Sequence, residues 1–479
     1  MNTHMLALQL MAAQGCLGAF DTVYHHELTE ALPQRPTARR ELSIHALRAV
    51  IYGVLFIGLS AWVWQGAWAL ALLVLFSVEI VLTLWDFVVE DQTRLLPATE
   101  RVTHTVLAIN GGAFICLLLL AAPEWMAAPT GFRYAPQGWL SAFLAACGVG
   151  VFASGIRDAV AARKMTGNES PAARFDGTRQ TVLVTGATGF IGKTLVPMLR
   201  AGGHHVIVLS RDPKKAAWEF NGTVQAIGSM AELPRTEIVD VVINLAGARI
   251  LGWRWSDKRK AVLRRSRVAL TESVVDWIAG AVIKPRLMIS ASAIGYYGNQ
   301  PQDSEQVLNE ASPPQPIFMS QLCQEWEAAA VRAREHGVPV ALTRFGVVFG
   351  HGGALPSMLM PFRLGFGGRL GSGRQRNSWI HIHDLLRAIA HVWHLGPNSD
   401  GAWNFTAPQH PTQLEFAQAA AAELHRPYAL PTPGWPILLL LGEQSDLLLE
   451  GAAIAPARLL ATGFTFRYPT VQEALADLI

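Results

Sequence analysis

Charge is scarce in this chain. Asp, Glu, Lys and Arg make up 16% of its 479 residues, against about 25% in an ordinary soluble domain. The shortfall is local: residues 1–160 are dominated by Leu, Ala, Val and Trp, and the rest has the composition of a soluble enzyme. The net charge is only +3, and there is no dense basic run with interleaved aromatics, which excludes a nucleic-acid partner. Cysteine is equally sparse. Cys16, Cys116, Cys147 and Cys323 form no C-x-x-C pair, and three lie in apolar stretches, so they read as small buried hydrophobes rather than a disulfide framework or zinc site. The N-terminus also lacks the basic start of a cleavable signal.

What is present in the first third is long apolar runs. Spanning a bilayer takes about 20 apolar residues, and residues 47–65, 68–89, 103–122 and 138–156 meet that length, with 5–24 as a more polar fifth candidate. Residues 1–165 are therefore expected to be an all-α transmembrane bundle of four to five spans. Arg35, Arg39, Arg40 and Arg48 fall between the first two spans, Arg94 and Arg101 between the third and fourth, and Arg157, Arg163 and Lys164 after the last. The positive-inside rule then places the N-terminus outside and the C-terminal part in the cytoplasm, as in a bacterial inner-membrane protein.

Polar residues in this bundle are ordered. Asp21/His25, Glu41/His45, Asp86/Glu90 and Glu100/His104 are each spaced i, i+4, on one helical face, at the same expected end of the spans. Intramembrane ionisable groups are costly and usually functional. Two readings stand. The groups are interhelical ion pairs with Arg48 and Arg101 as partners, or His25, His45, Asp86, Glu90 and His104 are ligands of a metal ion, as in helical bundles that hold two metals.

Residues 166–179 are polar with Gly, Pro and Ser and read as a linker. The pattern then changes to strand, turn and helix. Thr181–Thr185 runs into Gly186-Ala-Thr188-Gly189-Phe190-Ile191-Gly192, a helical stretch follows, and a second strand comes at His205–Leu209. In such a unit the glycines make the tight turn, admit the pyrophosphate and pack helix on strand. An NAD site wants an acid at the end of the second strand. Here Ser210-Arg211 stands there with Lys214 and Lys215 beyond, which favours NADP(H) over NAD(H); Asp212 argues the other way. Two further apolar strands end in Leu245-Ala246-Gly247 and in Ser290-Ala-Ser292, followed by Tyr296-Tyr297, and strand ends of this kind line the ligand crevice of a doubly wound sheet.

TGATGFIG, INLAG, SASAIGYYG, LTRFGVVFG and WIHIHDL resemble the extended short-chain dehydrogenase/reductases, the superfamily of NAD-dependent epimerase/dehydratases. GWRWSDKRKAVLRRSRV, LCQEWEAAA, PFRLGFGGRLGSGRQRNSWIHIHDL and GFTFRYPTVQEALADL narrow the likeness to the "epimerase family protein" branch, which ends in a domain of unknown function. The resemblance covers residues 180–479. It implies a Rossmann-type doubly wound α/β domain with substrate lobe over 180–430 and a small cap over 431–479. It also implies pyrophosphate binding by Gly186, Gly189 and Gly192, 2′-phosphate recognition by Arg211, cofactor contacts from Ala246 and Gly247, and Ser292 as the family's catalytic Ser/Thr.

The family's acid/base is a Tyr with a Lys four residues on, and no Tyr here has Lys at that distance. Ile317 or Phe318 stands where the Tyr is expected and Gln321 where the Lys is; Tyr296, Tyr297 and Cys323 are the substitutes at hand. Arg363, Arg369, Arg374 and Arg376 offer a grip for an anionic small-molecule substrate. One of His381 and His383 is expected to face the substrate cleft, by strand alternation. Trp435–Leu441 is expected to pack against the substrate lobe. Three functions follow: an NADP(H)-dependent oxidoreductase or epimerase, an NADP(H) sensor that regulates the bundle without turnover, or an NADPH-linked membrane redox protein with a metal site. Oligomeric state is left open.

Overall fold

A computed structural model describes residues 3–29, 32, 39–93, 96, 98–164, 173–252, 254–428 and 431–479. Arg35, Arg94 and residues 166–172 of the expected linker lie outside the described residues. The chain divides into two compact units, Met1–Asn168 and Glu169–Ile479.

The first unit is helical. α1 (Thr3–Phe20) runs on into a π-helical segment, Asp21–Thr29. Then come α2 (Arg39–Ser60), β1 (Trp62–Gln65), α3 (Ala67–Thr93), α4 (Ala98–Ala127), β2 (Gly131–Tyr134) and α5 (Trp139–Lys164). Among the described residues, five helical stretches are long and apolar enough to cross a membrane: Thr3–His26, Arg39–Ser60, Ala67–Asp91, Ala98–Ala127 and Trp139–Arg163. The second begins and ends earlier than its apolar run suggests, because Trp62–Gln65 leaves the helix to pair antiparallel with Gly131–Tyr134. That ribbon carries Trp62, Trp64, Phe132 and Tyr134, and sequence alone did not reveal it. α2 and α5 approach closely through small residues. A Cβ on Gly148 would stand 2.7 Å from Ile57 and 3.1 Å from the Gly53 carbonyl, and one on Gly155 would stand 2.9 Å from Ala49. Such seams let helices pack where no hydrophobic drive separates protein from lipid. Val81, Leu84 and Trp85 on α3 and Ile109 and Leu120 on α4 are all more than half exposed.

The second unit alternates strand and helix. Its first half has β3 (Thr181–Thr185), α6 (Phe190–Ala201), β4 (His205–Leu209), α7 (Pro213–Glu219), β5 (Gln225–Ile227) and β6 (Val241–Asn244). α8 (Asp257–Arg264), α9 (Leu270–Gly280), β7 (Leu287–Ala293), α10 (Phe318–Val331) and β8 (Val340–Phe345) follow. The remainder holds β9 (Val347–Phe349), α11 (Leu355–Arg363), β10 (Trp379–His381), α12 (Ile382–Leu395), β11 (Gly401–Phe405), α13 (Gln413–Glu423), α14 (Gly434–Leu441), α15 (Asp446–Leu449), α16 (Ala457–Ala461) and α17 (Val471–Leu478). Seven strands form one parallel sheet in the order β11-β8-β7-β6-β3-β4-β5, while β9 and β10 pair separately. The order reverses at β3, so the crevice beyond Thr185 and Asn244 is the topological switch point where such sheets bind ligands. Both faces are covered: Val182 and Val184 enter one core with Leu195 and Leu199, and Leu183 enters the other with Val274 and Trp277. This is why the strands read as unbroken apolar runs rather than alternating ones.

The last 49 residues, expected as a small cap, share cores with the rest of this unit: Leu459 and Phe464 join the sheet core, and Val471 and Leu475 pack with Phe416 of α13. Their apolar run differs from expectation. It forms α14, which buries none of its residues, and Trp435, Leu439 and Leu440 are each about 70% exposed.

Candidate cofactor and substrate site

The glycine turn is built as its spacing requires. Gly186 has φ +70°, and a Cβ there would lie 2.8–2.9 Å from the backbone of Leu245 and Ala246. A Cβ on Gly192 would lie 2.4 Å from the Ala187 carbonyl, so that glycine seats α6 against the turn. Gly189, the N-cap of α6, is exposed; a Cβ there would meet only the Gly186 carbonyl, at 3.1 Å. Thr188 and Ile191 flank it, half-buried. The positive end of α6 thus opens beside a bare backbone position, the arrangement that receives a pyrophosphate. The neighbouring β6 loop is locked to this turn: the Ala246 amide donates to the Thr185 hydroxyl (3.1 Å), which donates to Asn244 Oδ1 (2.7 Å).

Two expected cofactor residues have other work. The Phe190 ring fills the space over Gly350, Gly352 and Gly353, at 2.6–3.0 Å from where their Cβ atoms would be. Ser290 is fully buried and accepts from Asn244 Nδ2 (3.2 Å), which also donates to Thr271 (2.8 Å). Ser290 therefore braces the strand ends instead of lining the crevice.

At the end of β4, Asp212 has a structural role. Its carboxylate caps α7 by accepting from the Lys215 amide at 3.0 Å, while Arg211 is exposed beside Ser210. β3 and β4 are neighbours with Thr185 opposite Leu209, so Arg211 stands next to the glycine turn.

Sequence reasoning passed over Arg267. It is 7% exposed, lies 3.0 Å from where a Cβ on Gly247 would be, and donates to the Ala248 carbonyl at 3.1 Å. No carboxylate pairs with it among the described residues, and burial lowers its pKa. An unneutralised guanidinium held against the cofactor loop is a receptor for an anion. The signal in the sequence was the run Arg264-Arg265-Ser-Arg267, whose third arginine turns inward through a π-helical turn over Arg265–Ala269.

The expected catalytic side chains are brought together, but into a sealed network. Ser292 donates to Glu327 (2.6 Å), and Glu327 takes both ends of the Arg344 guanidinium at 2.8 Å. Arg344 also donates to the Tyr297 hydroxyl (2.8 Å), which donates to Asn404 (2.6 Å). Burial, opposed by Arg344, pushes the Tyr297 phenol up to about 12. Tyr296 is half-buried, with Arg344 3.5 Å from its ring centre. Cys323 is corrected as a substitute acid: burial, reinforced by Glu327, pushes its thiol to about 12 and leaves it inert.

Ile317 is the N-cap of α10, Phe318 meets Trp255 edge to face, and Gln321 is exposed. Where the family's Tyr would sit there is instead a cleft lined by Gly295, Gly298, Ile317, Phe318, Glu443 and Asp446. Glu443 is tied to Lys260. Burial and the nearby Glu443 raise the pKa of Asp446 above the ordinary carboxylate range.

Neither histidine of WIHIH lies at this cleft. The strand ends at His381, whose Nδ1 accepts from the His383 amide (3.1 Å) as the N-cap of α12; its Nε2 lies 3.3 Å from Asp477, and its ring lies on Tyr468. Strand alternation fails here because helix begins between the two. Of the four arginines expected to grip an anion, Arg376 lines a different cleft, with Ser304, His410 and Glu415, and donates to the His410 carbonyl.

In the helical unit the acid/His groups converge. His45 Nε2 lies 3.0 Å from Asp86 and 3.7 Å from Glu90; His104 lies 3.3 Å from Glu90 and 3.1 Å from Asp21. His25 is corrected as a ligand: it holds Asp21 (2.8 Å) and Thr99 (3.3 Å), and His26, not named from the sequence, stands in the cluster. Arg48 reaches Asp86 (2.6 Å) and Glu79 (3.3 Å), as ion pairing requires.

The profile of the NAD dependent epimerase/dehydratase family matches residues 182–404, and that of a domain of unknown function, DUF1731, matches 432–478. The chloroplastic homologue of epimerase family protein SDR39U1 from Arabidopsis thaliana is 41% identical over 312 residues, 63% of this chain and 87% of its own. An epimerase family protein of Bacillus subtilis is 35% identical over 302 residues, 62% of this chain and 97% of its own. The crystal structure of human SDR39U1 with NADPH is 34% identical, with a TM-score of 0.56, over 62% of this chain and 98% of that one. Sheet, glycine turn and relatives agree: the chain belongs to the NAD dependent epimerase/dehydratase family, in the branch of epimerase family proteins that ends in DUF1731.

Proposed function

We propose that this chain is a membrane-anchored, NADP(H)-dependent oxidoreductase or epimerase acting on an anionic small molecule, with its second unit in the cytoplasm. One observation carries the cofactor choice: Asp212 is occupied as the cap of α7, so the residue at the end of β4 that is available to the ribose is Arg211. The NADPH bound by the human relative supports it. The five apolar helices, with bulky apolar side chains turned outward on α3 and α4, support the anchor, since a soluble protein rarely exposes so large an apolar surface.

NADP(H), when bound, supplies or accepts a hydride. The chain must then handle an alcohol or carbonyl oxygen and its proton. Ser292 and Tyr297 are committed to the Glu327–Arg344 network. Asp446 is a carboxyl group lining the cleft whose pKa burial and Glu443 raise, so it is the group we assign to the acid/base role left by the missing Tyr. Arg267 holds the anionic end of the substrate or cofactor.

The sealed network favours a second reading, in which NADP(H) binds without turnover and reports to the helical unit. Purified full-length protein tested for NADPH oxidation against ketones, quinones and sugar nucleotides, and for epimerised product from the sugar nucleotides with NADP+, separates the two. Activity with at least one class, lost in Asp446→Asn while NADPH binding persists, is the expected result. Binding with neither oxidation nor epimerisation across the panel supports the sensor.

A further inference from the structure

We propose that the end of the helical bundle formed by α1 through α4 holds a dinuclear centre of first-row divalent metal, iron or manganese. One ion would be bound by Asp21, His26 and His104, the other by Glu41, His45 and Glu90. In each set the three residues offer donor atoms that all lie within 4.8 Å of one another. Ligands on opposite sides of an ion with bonds of roughly 2.0–2.2 Å stand about 4.2 Å apart, so modest inward rotation closes either set. Mixed carboxylate and imidazole donors on four helices are the ligand type of two-metal bundles, and they suit iron and manganese better than soft thiolate metals.

The two sets are joined. One oxygen of Glu90 faces His45 Nε2 at 3.7 Å, and the other faces His104 Nδ1 at 3.3 Å. His104 Nε2 and His26 Nε2 both address the same oxygen of Asp21, at 3.1 and 3.5 Å. A carboxylate behind the far nitrogen of a ligating imidazole fixes its tautomer and strengthens it as a donor, and Glu90 does this for His104. The rings of His26 and His45 stack with centres 4.5 Å apart and planes 6° from parallel.

Two observations beyond the clustering point to an ion. The first is backbone. α1 widens into a π-helix over Asp21–Thr29, which brings residues five apart onto one face, so Asp21 and His26 share a face that a regular α-helix gives to Asp21 and His25. π-helical turns inside α-helices recur at functional sites. The second is orphaned polarity. Asp86 Oδ1 and His45 Nδ1 are buried and make no hydrogen bond among the described residues, although Asp86 is 1% and His45 9% exposed. Arg48 and His45 Nε2 both address the other oxygen of Asp86, at 2.6 and 3.0 Å.

The test is metal content of full-length protein purified in detergent, after anaerobic incubation with Fe(II) or Mn(II) and removal of excess. The wild type should retain about two ions per chain, as carboxylate-bridged bundles do. His26→Ala should lower this to about one, and Glu90→Ala should remove both, because Glu90 belongs to one set and supports the other. Glu79→Gln, outside both sets, should keep the wild-type stoichiometry. NADPH binding and a monodisperse elution profile identify variants that have folded. If a ligand variant does not fold, the wild-type measurement still decides. Sub-stoichiometric metal in the wild type with both ions overturns the proposal and leaves a network of ion pairs, as does loss in Glu79→Gln equal to that in His26→Ala.

Discussion

Arg211→Ala isolates the choice between NADP(H) and NAD(H). Arg211 is exposed at the end of β4, beside the turn in which Gly186 and Gly189 would hold the pyrophosphate. Its neighbour Asp212 caps α7 by accepting from the Lys215 amide through Oδ1. A hydrogen bond to a charged group is worth about 1.5–3 kcal/mol, and each 1.4 kcal/mol is tenfold in affinity. An exposed guanidinium belongs to the lower half of that range, so the substitution should weaken NADPH by about 10- to 50-fold and leave NADH nearly unchanged. Tryptophan-to-nicotinamide fluorescence titration of the full-length protein reads both constants. Repeated at high salt, the NADPH advantage of the wild type should shrink, because the contact is a screened charge interaction. Equal loss for NADPH and NADH would mean that Arg211 merely stacks on the adenine, and wild-type affinities that do not differ would refute the reasoning outright.

Three other outcomes are expected. Glu327→Ala strands the buried Arg344 guanidinium, whose charged form Glu327 stabilises against the cost of burial, and should destabilise the second unit by about 3–5 kcal/mol. Glu327→Met with Arg344→Met should recover most of that loss, and a thermal melt no worse for the single than for the double change would contradict it. His383 and His410 are held neutral down to about 4, by burial first and then by His381 and Arg376 respectively. The unfolded chain takes up these protons from about pH 6.5 downward, so stability should fall as pH drops from there to about 4, by up to about 3 kcal/mol each before solvent screening. His383→Gln with His410→Gln should flatten the dependence of Tm on pH over that range. A reporter fused after residue 165 should be active only in the cytoplasm, and periplasmic activity would refute the orientation drawn from Arg39, Arg40, Arg48 and Arg101.

The elements that sequence made legible are those whose physics is local. Thr181–Thr185 is β-branched and apolar, and Gly186, Gly189 and Gly192 each sit where a Cβ meets backbone or occupies the ligand's side of the turn. Such constraints are written at single positions. The errors came where one element changes into another. His381 and His383 look like alternating strand residues, yet helix begins between them and turns His381 toward Asp477. Trp435–Leu441 has a core-like composition, yet α14 stays exposed, because hydrophobicity does not say what will cover a helix. Arg267 was hidden for the same reason: whether an arginine in a basic run points inward depends on the irregular turn at Arg265–Ala269, which no periodicity announces.

The same limit applies to the helical bundle. Spacing of i, i+4 selected Asp21 with His25, and in a regular helix that pairing is correct. The chain departs from the regular helix just where the choice matters. It keeps His25 as a hydrogen-bond support for Asp21, at 2.8 Å, and presents His26 to His45 and His104. Periodicity read from a regular helix could not deliver His26, because the residue that shares a face with Asp21 depends on the widened turn over Asp21–Thr29. That turn sets His26 3.5 Å from Asp21 and 4.0 Å from Glu100, and the metal stoichiometry of His26→Ala decides between ion pairing alone and the proposed metal centre.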